Sequence, residues 1–281
     1  MNGHLRDRAI KFFPSDHTYV VHPGTSSAAT FPLSVTDVWN RYFTPFDAGA
    51  ILDTYYRTWM QKGSHKYYDF ISACRKDGLT DDDTKEALRT RWEREAVEAS
   101  AKGTEMHRNI EFALGGQQYD GSSREMQMFH SFVYNELLER KWRVYRLEWS
   151  IYCTEAMVAG QVDAIFVDPS LKFHMVDWKR SKHELHAAAN SQFNRVGKEP
   201  FQELWDSAFG HYAVQQNLYA VILKRRYRLE MESMWLVRLH PDNKSSSYEI
   251  TDVPDLKDAA GKVLNDIAAK RPRNLPWECA T

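Results

Sequence analysis

The spacing of apolar and polar residues divides the chain into a mainly helical first half and a strand-rich second half. Between residues 38 and 140, apolar side chains recur at every third or fourth position, which is typical of amphipathic helices. Asp and Ser residues stand at the expected helix starts, where they can cap free backbone N–H groups. The pattern predicts a short strand over residues 18–22, a loop over 23–30, and helices over 38–43, 48–60, 67–76, 81–114 and 123–140.

The pattern changes at Trp142, where segments rich in β-branched and aromatic residues begin. The first three predicted strands cover 143–153, 158–167 and 172–178, and the turns between them are short enough for antiparallel hairpins. The pattern then predicts a polar connector over 184–197, a long helix over 201–224, strands over 232–239 and 247–253, and a closing helix over 255–270. We therefore predict an α/β fold, with a mixed central sheet flanked by helices over residues 101–281 and a mainly helical N-terminal lobe over 1–100.

Two acids and a lysine lie on the second and third predicted strands. Asp163 stands inside an apolar strand, while Asp177 and Lys179 are two positions apart and therefore share a face. Antiparallel pairing across the turn at residues 168–170 would bring Asp163 close to Asp177. By the same alternation, three apolar side chains are expected together on the face opposite Asp163, namely Val162, Ala164 and Phe166.

This arrangement indicates a metal site, because two neighbouring carboxylates repel each other unless one takes up a proton or both meet a cation. Mg²⁺ binds one or two carboxylates, keeps several of its waters and leaves room for a phosphate. Mn²⁺ accepts similar oxygen ligands. Such an ion activates water and neutralises the charge that develops on an attacked phosphodiester, and a nearby lysine adds a further positive charge. The pattern therefore favours phosphodiester hydrolysis.

The acids belong to a longer ordered series of motifs. In chain order these are GTEMHRNIE over residues 103–111, VD at 162–163, DWK at 177–179 and QQNLY at 215–219. The series resembles the PD-(D/E)XK nuclease superfamily, and its first and last motifs narrow the resemblance to the RecB-like and lambda-exonuclease-like branch. The SVT segment at residues 34–36 is similar to one near the start of mitochondrial genome-maintenance exonucleases and related viral nucleases.

The resemblance implies a restriction-endonuclease-like core and a role for each matched residue. The implied metal ligands are His107, Asp163, Asp177 and the backbone carbonyl of Trp178, with Glu148 as a further candidate. The implied catalytic residues are Asp163, Asp177, Lys179, Gln215 and Tyr219. Glu111, one helical turn after His107, is expected to support that histidine. The predicted DNA-binding residues are Thr104 of the first motif and Arg180 and Lys182 of the basic cluster beside the third strand.

Each of these residues also has a structural interpretation. Asp177 and Lys179 can form a strand-end salt bridge, and His107 can be a hydrogen-bonded core histidine. Gln215 and Tyr219 can simply flank an apolar helical stripe. The sequence departs from the superfamily pattern by Val162 in place of proline and by Asp177 in place of the commoner glutamate. Neither departure removes a ligand, although Asp177 is one methylene shorter than glutamate.

Composition limits the partners and cofactors. The formal net charge is −1, so nucleic-acid binding must depend on local basic patches rather than on the overall charge. Three widely spaced cysteines fit a reducing compartment and are too few for a four-thiolate iron–sulfur cluster within one chain. With neither a signal-like apolar stretch nor a membrane-length one, we expect a soluble intracellular protein and no membrane partner. The compartment stays open among nucleus, mitochondrion, virus and bacterial cytoplasm.

The resemblance implies a Mg²⁺- or Mn²⁺-dependent DNA exonuclease that acts on single strands or free ends in replication, repair or recombination. A helicase or another replication or recombination protein is the implied partner that would open duplex DNA. A structure-selective or sequence-specific endonuclease on the same core is the first alternative. A catalytically silent DNA-binding or effector module is the second. Digestion polarity and the choice between DNA and RNA stay open.

Overall fold

The computed structural model describes residues 3–22, 25, 28–187 and 194–271. Parts of the predicted loop over 23–30 and of the predicted connector over 184–197 lie outside these residues. The chain divides into two compact units. We call Met1–Thr44 together with Met106–Thr281 the core unit, and Pro45–Glu105 the helical unit.

The strands and helices follow the predicted order closely. The strands are β1 (Ile10–Phe13), β2 (Thr18–Val21), β3 (Ala29–Phe31), β4 (Leu33–Ser34), β5 (Arg143–Cys153), β6 (Val158–Val167), β7 (Phe173–Lys179), β8 (Met231–Arg238) and β9 (Glu249–Asp252). The α-helices are α1 (Val35–Asn40), α2 (Ala48–Gln61), α3 (Tyr68–Lys76), α4 (Asp81–Leu114), α5 (Arg124–Phe132), α6 (Ala208–Ile222) and α7 (Lys257–Ala269). Short π-helical turns extend α5 over Val133–Leu138 and α6 over Leu223–Tyr227.

The core unit is built on a six-stranded mixed sheet. Strands β6, β7, β8 and β9 lie side by side, with β5 on the other edge of β6 and β4 beside the first residues of β6. The β5–β6, β6–β7 and β8–β9 pairs are antiparallel, while β7–β8 and β4–β6 are parallel. The predicted meander of β5, β6 and β7 and the predicted mixed sheet are confirmed.

Apolar side chains from the two faces of this sheet enter separate clusters. Met175 of β7 packs in the cluster that holds Val214 and Leu218 of α6, whereas Val176 packs with Phe129 of α5. Adjacent residues of one strand point to opposite faces. Helices therefore cover the sheet on both sides, as the sequence predicts.

The start of α6 differs from the prediction of a helix over 201–224. Residues 201–207 form turns, and the helix begins after Ser207, whose hydroxyl accepts a hydrogen bond from the Gly210 N–H at 3.2 Å. Phe201 has apolar spacing compatible with a helix but is buried in a turn, where its N–H bonds to the Lys198 carbonyl at 2.7 Å. Tertiary packing outweighs the local pattern here.

A small antiparallel sheet of β1, β2 and β3 was not predicted, apart from its middle strand. Its side chains Tyr19 and Phe31 are buried with Tyr152 and Ala159 of β5 and β6. This shared cluster explains why residues 1–44 belong to the core unit, whereas the sequence-based division placed residues 1–100 together in the N-terminal lobe. The helical unit is correspondingly shorter than that lobe.

The helical unit holds α2, α3 and the first part of α4, as the periodicity predicts. Its core is Leu52, Tyr56, Trp59, Ile71 and Leu88. Trp59 stacks on His65, with ring centroids 4.9 Å apart. Tyr56 and Trp59 of this unit therefore serve in packing. Within the residues that the structure describes, no helix combines the length and apolarity needed to cross a bilayer.

Asp7 ties the N-terminal segment to β5. Its carboxylate pairs with Arg146 at 2.5 Å and accepts a hydrogen bond from the Trp149 indole at 2.8 Å. Burial alone would raise the pKa of Asp7, but hydrogen bonds from Arg146, the His4 N–H and Trp149 outweigh burial and lower the pKa below 3.8. The ionised form of Asp7 therefore stabilises the fold.

We expect Asp7→Asn to lower the free energy of unfolding by about 2 kcal/mol at pH 7, because hydrogen bonds to a charged group are lost. A folded-state pKa below the unfolded value gives stability that is present above about pH 4 and is lost as pH falls through the folded pKa. Urea unfolding at a series of pH values checks this expectation. The difference between wild type and variant should shrink toward pH 3, and an undiminished difference there would contradict the role of the charge.

Candidate metal centre

Asp163 and Asp177 lie where strands β6 and β7 separate. The last backbone pair between these strands joins Ala164 to Val176, so Asp163 and Asp177 occupy the next register position. In place of a further backbone pair, Asp163 Oδ2 accepts a hydrogen bond from the Trp178 N–H at 2.9 Å. The structure thus places both acids at one end of the ladder, as the hairpin register predicts.

Glu148 of β5 completes a row of three acids across neighbouring strands. The β5–β6 pairing of Leu147 with Ala164 puts Glu148 opposite Asp163. Glu148 has a φ of 42°, in the left-handed region that non-glycine residues rarely adopt. Gln161 donates a hydrogen bond to the Glu148 carbonyl at 3.1 Å. Such strained residues cluster at functional sites, where the surrounding structure holds them in place.

At this row, the side chains of β5 and β6 no longer alternate regularly between the two faces of the sheet. Leu147 and Trp149 are two residues apart but pack in different clusters. On β6, Ala164 and Phe166 share the cluster that holds Leu147, whereas Val162 packs with Trp149. The expectation that Val162 shares a face with Ala164 and Phe166 is therefore wrong. The left-handed residue in β5 and the end of the β6–β7 ladder interrupt the regular alternation on which it depended.

His107 joins two of these acids in a group suited to a metal ion. It comes from the part of α4 that belongs to the core unit, and its Nδ1 lies 3.5 Å from Asp163 Oδ2. Among the described residues, His107, Glu148 and Asp163 each offer a ligand atom, and these atoms all lie within 4.8 Å of one another. Asp177 is outside this group. Two carboxylates and an imidazole fit a borderline-hard ion such as Mn²⁺.

Burial and neighbouring carboxylates raise the pKa values of Glu148 and Asp177. Burial raises the pKa of Glu148 to about 9, with further contributions from Asp163, Glu111 and Asp177. Burial also raises the pKa of Asp177 to about 7; Asp163 adds to this, while Lys179 acts in the opposite direction. Concentrated negative charge in a half-buried place is stabilised by a bound cation. The electrostatics therefore agree with the ligand geometry.

Lys179 lies beside the acid row and is held on two sides. Its ammonium is 2.6 Å from Asp177 Oδ2 and 4.1 Å from the centroid of the Tyr212 ring. Asp177 is buried, and its Oδ2 forms an ion pair with the Lys179 ammonium. Burial alone would lower the pKa of Lys179, but Asp177 outweighs burial and raises it above the usual value. Lys179 is therefore a fixed positive charge.

Gln215 and Tyr219 of α6 face the same region. Gln215 Nε2 donates a hydrogen bond to the Tyr219 hydroxyl at 3.3 Å. Burial raises the pKa of Tyr219, and Tyr19, Asp177 and Asp163 raise it further. The hydroxyl is thus close enough to the acids to interact with them electrostatically. The Tyr219 ring lies on Gly160 of β6, where an added Cβ would be 2.6 Å from Tyr219 Cε1.

We expect Gly160→Ala to displace the Tyr219 ring. Overpacking of this kind costs about 1–3 kcal/mol of stability. If Tyr219 serves the site, the variant should also lose turnover under conditions in which it remains folded. Thermal unfolding and DNA cleavage, measured side by side, check this. Gly63→Ala is the control, because an added Cβ at Gly63 meets nothing within 4 Å. Activity at the wild-type level in a folded Gly160→Ala protein would contradict a role for the Tyr219 position.

The predicted DNA-binding residues and Glu111 differ in exposure and in their partners. Arg180 is paired with Glu125 at 2.7 Å, and both side chains are largely buried, so this guanidinium already has a protein partner. Lys182 is exposed. Thr104 is exposed and belongs to the helical unit. Glu111 is half-buried and interacts electrostatically with Glu148. DNA binding by Arg180, Lys182 and Thr104 stays a prediction.

The side chain of Trp178 lies on the face opposite the acids. It makes edge-to-face contacts with Phe129 and Phe132, with ring centroids 5.5 and 5.3 Å away. The Trp178 side chain therefore points away from Asp177 and Lys179. Metal binding by its carbonyl stays a prediction.

Two tyrosines near the acids were not singled out from the sequence. Tyr19 of β2 interacts electrostatically with Glu148, and Tyr212 of α6 contacts Lys179. Tyr212 precedes Gln215 by three residues and Tyr219 by seven, which places all three on one side of the helix. This helical spacing was a usable signal for Tyr212. The sequence holds no comparable signal for Tyr19, which depends on how the small sheet packs.

Comparisons with known proteins add little to this description. No protein-family profile and no curated protein matches the chain. Among solved structures, one similar protein is described as "Crystal structure of SSO0001". It is 15% identical, and the match covers 55% of this chain and 62% of that chain, with a TM-score of 0.26. The match therefore spans less than two thirds of that protein. A likeness this weak permits no conclusion on function.

Proposed function

We propose that this protein is a Mg²⁺- or Mn²⁺-dependent DNA exonuclease with a core of the PD-(D/E)XK type. The observation that carries the proposal is the group of His107, Glu148 and Asp163 beside the Asp177–Lys179 ion pair, at the point where β6 and β7 separate. A metal-ligand group next to a fixed cation suits hydrolysis of a phosphodiester. The ordered motif series supports the same assignment.

The residues present fit a divalent cation. His107, Glu148 and Asp163 would hold it, with Asp177 joining from the neighbouring strand. The donor set supports this fit, because carboxylate oxygens and an imidazole nitrogen are ligands that divalent metal ions accept. When bound, the cation would supply Lewis-acid activation of water and of the phosphate oxygens.

The side chains around this group have separate tasks in the proposal. Lys179 keeps its proton and places positive charge where the attacked phosphate becomes more negative. The Tyr219 hydroxyl and Gln215 amide supply hydrogen bonds to the DNA strand or the scissile phosphate. Glu111 would orient or support the imidazole of His107, because it lies one helical turn away on α4.

We propose single-stranded or free DNA ends as the substrate, with a helicase or recombination protein opening duplex DNA. The test compares linear end-labelled single-stranded DNA, the same sequence as a closed circle, duplex DNA and RNA, each with Mg²⁺ or Mn²⁺. An exonuclease degrades the linear strand and leaves the circle intact. Cleavage of the circle would replace the proposal with an endonuclease, and binding without cleavage of any substrate would favour a silent DNA-binding module.

A further inference from the structure

The face of the Tyr212 ring covers one side of the Lys179 ammonium. The Lys179 Nζ atom lies over the Tyr212 ring, 4.1 Å from the centroid, with Asp177 Oδ2 at 2.6 Å. Among the described residues, Asp177 is the one ion-pair partner of Lys179. An ammonium within about 6 Å of an aromatic centroid is attracted by the negative face of the ring. The carboxylate and the ring together hold the ammonium in place.

A lysine side chain needs contacts of this kind if its ammonium is to keep one position and orientation. Its four-carbon stem is flexible, and its ammonium carries three donors that rotate freely. The side chain of Lys179 is only 15% exposed, so solvent fixes little of its orientation. With Asp177 and the Tyr212 ring covering part of its surroundings, the directions open to the remaining N–H groups are limited.

The position of Tyr212 on α6 makes the contact part of a larger arrangement. Gln215 and Tyr219 follow it at helical spacing on the same side of the helix. Ser207 caps the first turn and thereby fixes where the helix begins. One face of α6 therefore presents Tyr212 to Lys179 and Gln215 with Tyr219 to the acid row.

We propose that Tyr212 is a positioning residue for Lys179, whose ring face holds the ammonium beside Asp177 so that a free N–H points to the attacking water or the scissile phosphate. This inference rests on the proposed nuclease function. The proposed role belongs to the ring face of Tyr212 and not to its hydroxyl. Tyr212→Phe, which keeps the ring, and Tyr212→Leu, which loses it, should therefore differ in activity.

Tyr212→Leu should lower kcat about tenfold, because the ring is lost while an apolar side chain is kept. Tyr212→Phe should stay within about threefold of wild type, since the ring remains. The affinity for Mn²⁺ and KM should change little in either variant. A loss in Tyr212→Phe as large as that in Tyr212→Leu would overturn the proposal. Tyr134→Leu, an exposed tyrosine elsewhere in the core unit, is the matched control.

A double-mutant cycle tests whether Tyr212 acts through Lys179. In a Lys179→Gln background, with excess enzyme in single turnover, Tyr212→Leu should cause no further loss. The same fractional loss in both backgrounds would indicate an independent structural role and overturn the proposal. Circular dichroism and thermal unfolding establish that each variant is folded.

A spectroscopic readout keeps this test separate from the nuclease assignment. An aromatic ring shifts the NMR signals of protons over its face upfield. The ε-methylene protons of Lys179 should therefore be shifted upfield in wild type and Tyr212→Phe, and less so in Tyr212→Leu. If wild type cleaves no DNA, the proposed function fails, but this shift still reports the contact. Unshifted ε-methylene protons in wild type would overturn the proposal for Tyr212.

Discussion

Asp163→Asn should abolish metal-dependent DNA cleavage, with a loss of at least about 1000-fold in the single-turnover rate. Asp163 contacts more than one partner in the site, namely both His107 and Trp178. Its carboxylate lies 3.5 Å from His107 Nδ1 and accepts a hydrogen bond from the Trp178 N–H, and Asp163 is next to the paired positions that flank Glu148 and Asp177. An asparagine oxygen can still accept that N–H, so the hairpin should remain folded. The lost negative charge weakens the attraction of the site for a cation.

Isothermal titration with Mn²⁺ and a single-turnover assay on end-labelled DNA measure both consequences of Asp163→Asn. We expect weaker Mn²⁺ binding together with the loss of cleavage. Asp252→Asn, which changes an exposed acid on β9, is the matched control and should behave like wild type. Mn²⁺ affinity unchanged in a folded Asp163→Asn protein would remove Asp163 from the ligand set.

Lys179→Gln has the second largest expected effect, a loss of about 100-fold to 1000-fold in the cleavage rate. Glutamine keeps donor groups and much of the side-chain volume but lacks the charge that faces Asp177. Because Lys179 lies outside the His107, Glu148 and Asp163 group, Mn²⁺ binding should persist. The expected signature is therefore a large loss of rate with metal affinity retained.

Lys262→Gln, an exposed lysine on α7, controls for a general effect of lost positive charge. The assay compares the two lysine variants with wild type at saturating Mn²⁺. If Lys179→Gln and Lys262→Gln both cleave at the wild-type rate, Lys179 forms a structural ion pair and has no part in the chemistry.

The sequence predicts the longer elements well. The 34-residue helix α4 and strands β5 and β6 have the predicted bounds, because each combines a clear period with turn or capping residues at its ends. The short strands β1 and β3 were missed, since three or four residues carry too little periodicity and depend on packing against Tyr152 and Ala159. Residues 201–207 have helical spacing but fold into turns.

The sequence predicts only part of the acid row. The proximity of Asp163 and Asp177 follows from the short hairpin turn and the register of β6 and β7. The role of Glu148 in the row depends on a left-handed φ within β5, which regular alternation does not predict. The sequence therefore indicates two of the acids directly, and the change of face in β5 and β6 has to be seen in three dimensions.

The most direct test of the central claim is the cleavage of end-labelled linear single-stranded DNA by wild type and Asp163→Asn, with Mg²⁺, with Mn²⁺ and with excess chelator. The metal centre predicts cleavage by wild type with at least one of the two ions, none in chelator, and none by the variant under any condition. Wild-type cleavage that persists in chelator, or equal cleavage by Asp163→Asn, would contradict the assignment of this site. Absence of cleavage by wild type with both ions would contradict the nuclease function itself.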